Sequence, residues 1–319
     1  MDKPLAGIRV ADFSWVWAGP YCTFQLAMMG AEVIEFESKR RIDITRILQP
    51  IAYADPPVHA AYVEWQNTDA LERKPFAFGQ PSPDQSGYFN HIAMSKLGVT
   101  LDLSNPRAME IAKRVVAVSD VVIENFAPRV MKGFGLDYEI LKEVRPDIIY
   151  VSMSGTGAFG PDRDFVLYGA PQVALSGLAS LTGYVGGPPM PLPISYADPL
   201  AALHTAFYIL AALNHRRETG EGQYLDLSQW ESTICLQPEG VMDYMMNGRV
   251  PPRMGNRDGI MAPHDVYPCK GDDSWIAIAV GSEEEWRALC DAMGNPDWTR
   301  KEEFAGMYSR WHNQDQLNE

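Results

Sequence analysis

Apolar runs and polar turns alternate along the first half of the chain in a strand–helix rhythm. Ile8–Phe13 reads as a strand, followed by a turn at Ala18-Gly19-Pro20. A helix is predicted from about Tyr21 to Met29, stopping at Gly30, where a glycine can take the left-handed turn that closes a helix. Glu32–Glu37 reads as a second strand, Val99–Leu103 as a short one, and Pro106–Val118 as a helix. Its proline falls early, where a missing N–H is harmless. Asp120–Glu124 and Asp147–Ser152 are β-branched apolar runs, the pattern of strands covered on both faces of a parallel sheet. The alternation predicts an α/β, Rossmann-like layer.

The stretch 49–87 breaks that rhythm with Pro50, Pro56, Pro57, Pro75, Pro81 and Pro83. It predicts an ordered surface loop or an insertion with short helices, with a lid as one option. Helices are expected over Pro199–His215 and Ser228–Met246, with Thr219–Gln223 as a turn between them. From Met254 the texture changes to strands at Asp265–Cys269 and Trp275–Val280 and a helix at Glu283–Met293. The expected organisation is a large domain over 1–225, a linker helix over 226–253 and a smaller α+β domain over 254–319.

A chain of 319 residues can bury a large core without disulfide or metal staples. Its formal charge of −14 opposes nonspecific binding to nucleic acid or anionic membrane, so an anionic ligand needs a local basic pocket. Cys22, Cys235, Cys269 and Cys290 form no CxxC pair, and free buried thiols in a reducing cytoplasm are expected. The six histidines form no metal set. The N-terminus lacks the apolar core of a signal peptide. The apolar stretch Pro199–Asn214 is shorter than the ~20 residues of a bilayer span. No GxGxxG follows the first strand and there is no P-loop, so a nicotinamide-dependent oxidoreductase is the weakest reading. Ser152–Gly157 is not the GxSxG of a hydrolase elbow.

An ordered set of short strings is more informative than any one of them. It begins with Pro4–Ser14, Ala18-Gly19-Pro20 and Gly30–Ile34, then Ser95-Lys96, Leu101–Leu103 and Asp120–Phe126. It continues through Pro146–Ser152, Gly160-Pro161, Arg163-Asp164, Ile209–Leu213, Thr219–Gln223 and Asp226. In this order the strings resemble the family III CoA-transferases, the CaiB/BaiF family, over essentially the whole chain. The resemblance implies a Rossmann-like large domain with a parallel sheet plus a smaller α+β domain. It also implies a homodimer of two interlocked chains, or a heteromer with a related subunit.

The resemblance further implies covalent acyl transfer on an aspartate, with acyl-CoA and a carboxylic acid as substrates and no permanently bound cofactor. Asp198 is the candidate, thirty positions after Tyr168. Independently, it sits just before Pro199 at an expected N-cap, where a helix N-terminus favours a carboxylate. A capping role alone is the competing reading. By the family pattern, Val16, Ala18 and Pro20 lie against the pantetheine and thioester with Trp17 beside the thioester, and Asn125 and Phe126 line the adenine side. Lys39, with Arg40 and Arg41, would meet phosphates or form a solvated turn. Lys96 matches a family lysine, and Lys132 is a possible phosphate contact beside Gly133. Gly255 and Gly259 fall where the family has a glycine loop over the acyl-enzyme, or form an ordinary turn.

Departures from the family pattern matter. Trp17 stands where some members have glutamine. Gly169 stands where an acidic residue is common, which removes a neighbour of Asp198. The fold also hosts acyl-CoA racemases, but their histidine position holds Tyr168, so a deprotonating pair is poorly supplied. A non-catalytic CoA-binding subunit is a further alternative. Trp17 and the aromatics Tyr62, Trp65, Phe76 and Phe78 hint at a bulky or aromatic acid. The ending Gln316–Glu319 reads as a helix still under way, so the chain is expected to lack the family's final return segment.

Overall fold

A computed structural model describes residues 3–40, 42–48, 86–190 and 192–319. The expected loop over 49–87, its aromatic residues and Arg41 lie almost entirely outside them. The described chain divides into two compact units, residues 1–178 with 192–238, and 179–191 with 239–319. The expected boundary at 225 is therefore corrected. It falls inside a strand of the first unit, and the expected linker helix is divided, with 226–238 in the first unit and 239–253 in the second.

The first unit is built on a six-stranded sheet in the order β3-β2-β1-β4-β5-β6, with every neighbouring pair parallel. The strands are β1 (Arg9–Asp12), β2 (Glu32–Glu37), β3 (Lys96–Thr100), β4 (Val121–Glu124), β5 (Ile149–Ser154) and β6 (Gln223–Ser228). Ala11 pairs with Ile34 on one side and Val122 on the other, so β1 lies at the centre. Every residue of β4 and β5 is buried, which explains the apolar runs Val121–Ile123 and Ile149–Val151 that begin them.

On one face, α1 (Ala18–Met28) and the long helix α5 (Ala197–Thr219) pack together over Val10, Val33, Ile123, Ile149 and Val151. On the other, α2 (Pro106–Val116) and α3 (Tyr138–Val144) cover Ala11, Phe36, Val122 and Tyr150. Gly30 (φ +105°) ends α1 and Gly220 (φ +79°) ends α5, each in the left-handed turn a side chain resists.

Three expectations are revised. β3 starts at Lys96, three residues before the expected strand. The turn at Thr219–Gln223 leads straight into β6, which pairs with β5 through six residues. The expected helix over Ser228–Met246 is two, α6 (Gln229–Ile234) and α7 (Pro238–Asn247), because Pro238 cannot continue a helix but can begin one.

The second unit contains the antiparallel hairpin β7 (His264–Pro268) and β8 (Trp275–Ala279), followed by α8 (Glu283–Ala292). Ser282 accepts the Glu285 N–H while Glu285 accepts the Gly281 N–H, and these two bonds close the start of α8. Its core joins Val280, Trp286, Cys290 and Phe304, with the buried Arg310 guanidinium 4.7 Å from the Trp286 ring and bonded to Glu283. Cys22 and Cys290 are buried thiols, whereas Cys235 and Cys269 are exposed, against expectation.

Candidate active site

The connection from β1 runs to β2 on one side, and the connection from β3 crosses back past β1 to β4 on the other, so the strand order reverses beside β1. In open parallel sheets a crevice forms at such a switch, beyond the carboxyl ends of the strands. Here it is a cleft of about 650 Å³. The segments following β1, β2, β3, β4 and β5 all contribute to its wall.

Part of the cleft wall is aromatic. Phe13 and Phe36 stack with centroids 4.3 Å apart, and Trp15 meets Phe126 edge-on at 5.5 Å. Asn125 fixes this wall by pairing with the Trp15 peptide as a strand would. Its Oδ1 accepts the Trp15 N–H at 2.8 Å and its Nδ2 donates to the Trp15 carbonyl at 2.7 Å. Two guanidiniums line the same cleft, Arg40 after β2 and Arg129 after β4. Both are exposed and loosely paired, Arg40 with Asp102 at 3.3 Å and Arg129 with Asp164 at 3.7 Å. Such exposed pairs are weak and are readily exchanged for a polyanion.

Asp198, Tyr168, Val16 and Gln229 form another part of the wall. Asp198 is not the N-cap of α5; Tyr196 is, so Asp198 is the second helical residue and Pro199 the third. The proline is tolerated there because the first-turn N–H groups have no helical partner. The Asp198 carboxyl remains in the first turn, on the positive end of the helix dipole. Burial dominates its electrostatics and pushes its pKa up to about 7, while a backbone N–H bond offsets part of the shift. A buried, shifted carboxyl in a cleft is the signature of a group available for chemistry near neutral pH.

Gly169 begins α4 (Gly169–Leu175) and makes this placement possible. A Cβ on residue 169 would lie 1.9 Å from Asp198 Oδ2 and 2.5 Å from the Ser195 Cβ. Beside them, Gln172 donates to Gln229 Oε1 at 3.1 Å, and Gln229 donates to the Met153 carbonyl at 3.0 Å. Tyr88 packs on Trp17 at 5.4 Å, and its phenol is pushed upward by burial and by the nearby Asp198 and Asp43.

The cleft brings together Val16, Asn125, Phe126, Tyr168 and Asp198 of the sequence-derived candidates. Trp17 and Ala18 follow Val16 in the chain but do not line it. Lys39 and Lys132 are exposed and also outside its lining, and the neighbouring Arg40 and Arg129 stand there instead. Lys96 is corrected more strongly. Its ammonium is 1% exposed, 3.2 Å from Asp12 and 3.7 Å from Glu35. Burial pushes the Glu35 carboxyl upward, opposed by the nearby Lys96 ammonium. Gly255 and Gly259 belong to the second unit. Arg129, Tyr88 and Gln229 share no local motif with Asp198, so the sequence alone does not single them out.

Val16 has a left-handed backbone, φ +71°. For a β-branched residue this is strained by about 1–3 kcal/mol. Its N–H donates to Asp43 Oδ2 at 2.8 Å. Among the described residues no cluster of three or more His, Cys, Asp or Glu could hold a metal ion, and no helix is long and apolar enough to cross a membrane.

A cleft at the carboxyl ends of a parallel sheet, with aromatic walls, two guanidiniums and the buried Asp198 carboxyl, defines an α/β protein with a site suited to an anionic ligand. Comparison with known proteins gives the class a family. The sequence profile described as CoA-transferase family III matches residues 5–319, and the chain belongs to that family. It is 33% identical over 291 residues to the succinate–glutarate CoA-transferase of Agrobacterium fabrum, covering 91% of this chain and 66% of that protein. It is 34% identical to the succinyl-CoA:mesaconate CoA-transferase of Haloarcula marismortui, covering 98% of this chain and 72% of that one. The crystal structure of a CAIB/BAIF family protein from Brucella suis superposes with a TM-score of 0.82 at 29% identity, covering 100% of this chain and 77% of that one. The chain thus spans about two thirds to three quarters of the length of these relatives.

Proposed function

We infer that this chain moves CoA from an acyl-CoA donor to a free carboxylic acid, with Asp198 as the group that carries the acyl and CoA intermediates. The observation that carries this reading is the Asp198 carboxyl, buried in the cleft wall with its pKa raised to about 7. A carboxylate can be acylated and regenerated without a metal.

An ionised Asp198 oxygen attacks the thioester carbon. The C–S bond breaks, leaving a mixed anhydride and CoA thiolate. The thiolate then attacks the Asp198 carbonyl of the anhydride, which releases the donor acid and leaves an aspartyl-CoA thioester. The acceptor carboxylate attacks that thioester to form a second anhydride and free thiolate. Thiolate attack on the acceptor carbonyl yields the new acyl-CoA and restores Asp198. The aromatic wall of Trp15 and Phe126 suits the adenine ring, and Arg40 and Arg129 suit the phosphates. Exposed Leu203, Phe207 and Tyr208 on α5 support an assembly of two copies, which light scattering of the purified protein would read directly.

The experiment is trapping. The protein is incubated with an acyl-CoA and then with hydroxylamine or borohydride, and its peptides are weighed. A modified Asp198 peptide supports the reading. An active protein without that adduct, or an Asp198→Ala variant with full activity, overturns it.

A second reading rests on Gly169, which leaves Asp198 without an acidic neighbour at that position. In it the chain binds CoA as a non-catalytic subunit beside a related chain. Thermal stabilisation by CoA without exchange of label between acyl-CoA and acids would favour this reading.

A further inference from the structure

Val16 is held in its left-handed conformation by bonds from sequence-distant elements. Asp43 Oδ2 accepts the Val16 N–H at 2.8 Å. The preceding Trp15 peptide is gripped on both sides by Asn125, at 2.8 and 2.7 Å, and the Trp15 indole donates to the Phe36 carbonyl at 3.2 Å. Asp43 is itself immobilised. It is fully buried, and its other oxygen accepts both the Thr45 N–H at 2.8 Å and the Thr45 hydroxyl at 2.7 Å. Its bonds from Val16 and Thr45 therefore occupy both carboxyl oxygens. Val16 in turn lines the cleft that holds Asp198, and two residues later α1 begins without a side-chain cap.

A valine does not take this conformation without external support. We propose that Asp43 is a positioning residue that locks the Val16 turn and so shapes the cleft wall that receives acyl-CoA. This rests on the reading of the cleft as a CoA site. Asp43 does not line the cleft and acts through the Val16 backbone alone.

The distinguishing test is rescue by glycine at position 16, because glycine adopts positive φ without support. Acetyl-CoA binding is measured by calorimetry on the full chain for wild type, Asp43→Ala, Asp43→Asn, Val16→Gly and the Asp43→Ala/Val16→Gly pair. Hydrogen exchange checks that the β1, β4 and β5 amides stay protected. Asp43→Ala is expected to raise Kd about tenfold, and the double variant to recover most of that loss. Asp43→Asn, which keeps one acceptor oxygen, falls between. A role of Asp43 in overall stability alone would not be relieved by a change at residue 16.

Unchanged Kd in Asp43→Ala, or no recovery in the double variant, overturns the proposal and leaves the CoA site standing. If Asp43→Ala does not fold, the comparison moves to Asp43→Asn with and without Val16→Gly, under the same two criteria. A wild-type chain that binds no acetyl-CoA overturns both this proposal and the reading beneath it.

Discussion

The carboxylate of Asp198 occupies the space that a side chain on residue 169 would need. Its Oδ2 would lie 1.9 Å from a Cβ at Gly169, well inside any van der Waals separation. The two positions are exclusive as they stand, and glycine at 169 lets the carboxyl of α5 line the cleft.

Gly169→Ala is therefore expected to push the Asp198 carboxyl aside. A displacement of about 1 Å at a reacting group costs on the order of 100-fold in rate. The loss should fall on kcat with KM for acyl-CoA little changed, since the aromatic and guanidinium walls are untouched. Steady-state transfer kinetics with the variant check this. An unchanged kcat would separate Asp198 from the chemistry.

The raised pKa of Asp198 sets two pH dependences of opposite sense. Attack needs the ionised form, so the rate should rise through about pH 7 and level off above it. Stability runs the other way. In the unfolded chain this carboxyl ionises near 3.8, in the folded protein near 7, so the fold binds an extra proton between them. Its contribution to stability is complete below about pH 3.8 and is lost as pH rises through about 7. The full span is of order 4 kcal/mol. Asp198→Asn should remove this component, so the stability difference between variant and wild type in urea should grow from pH 5 to pH 8.

Lys96 serves the core rather than the ligand. Lys96→Met would strand the buried Asp12 carboxylate, which also accepts bonds from Ser14 and Thr23. Removing one partner of a buried pair costs about 3–5 kcal/mol. A marked fall in melting temperature is expected, and unchanged melting with weakened CoA binding would restore Lys96 to the ligand site.

For phosphate recognition the expectation passes from lysine to arginine. Arg40→Ala and Arg129→Ala should each weaken CoA binding about tenfold, equivalent to about 1.4 kcal/mol. The effect should shrink in high salt because both groups are exposed. Lys39→Ala and Lys132→Ala should change Kd little. Titration calorimetry at two ionic strengths compares all four.

Much of the sheet was legible because its central strands are written in β-branched apolar runs. Val121–Ile123 and Ile149–Val151 are fully buried and carry that signal, while Glu124, Ser152 and Ser154 are buried polar residues at the carboxyl ends. Gln223–Ser228 was missed as a strand because its text is half polar, and only its first four residues' partial exposure at the sheet edge explains why. Lys96 misled for a related reason. A lysine in sequence reads as surface, and its burial follows from Asp12 and Glu35 arriving from two other strands. Asp198 and Tyr168 could be paired through the family pattern. Their relation to Gly169 is a matter of fractions of a nanometre between two helix starts, which no spacing in the sequence encodes.

The wall of the cleft also bears on the time course of folding. Trp15 and Asn125 are 110 residues apart, and Arg216 reaches Asp120 across 96. Such contacts pay their chain entropy before any contact energy is returned, and parallel strands with long crossovers are slow to form for that reason. The local pieces, α1 behind β1 and α2 before β4, close short loops and are expected to form first. The cleft needs strands on both sides of β1, so its completion is expected to wait on those long-range contacts.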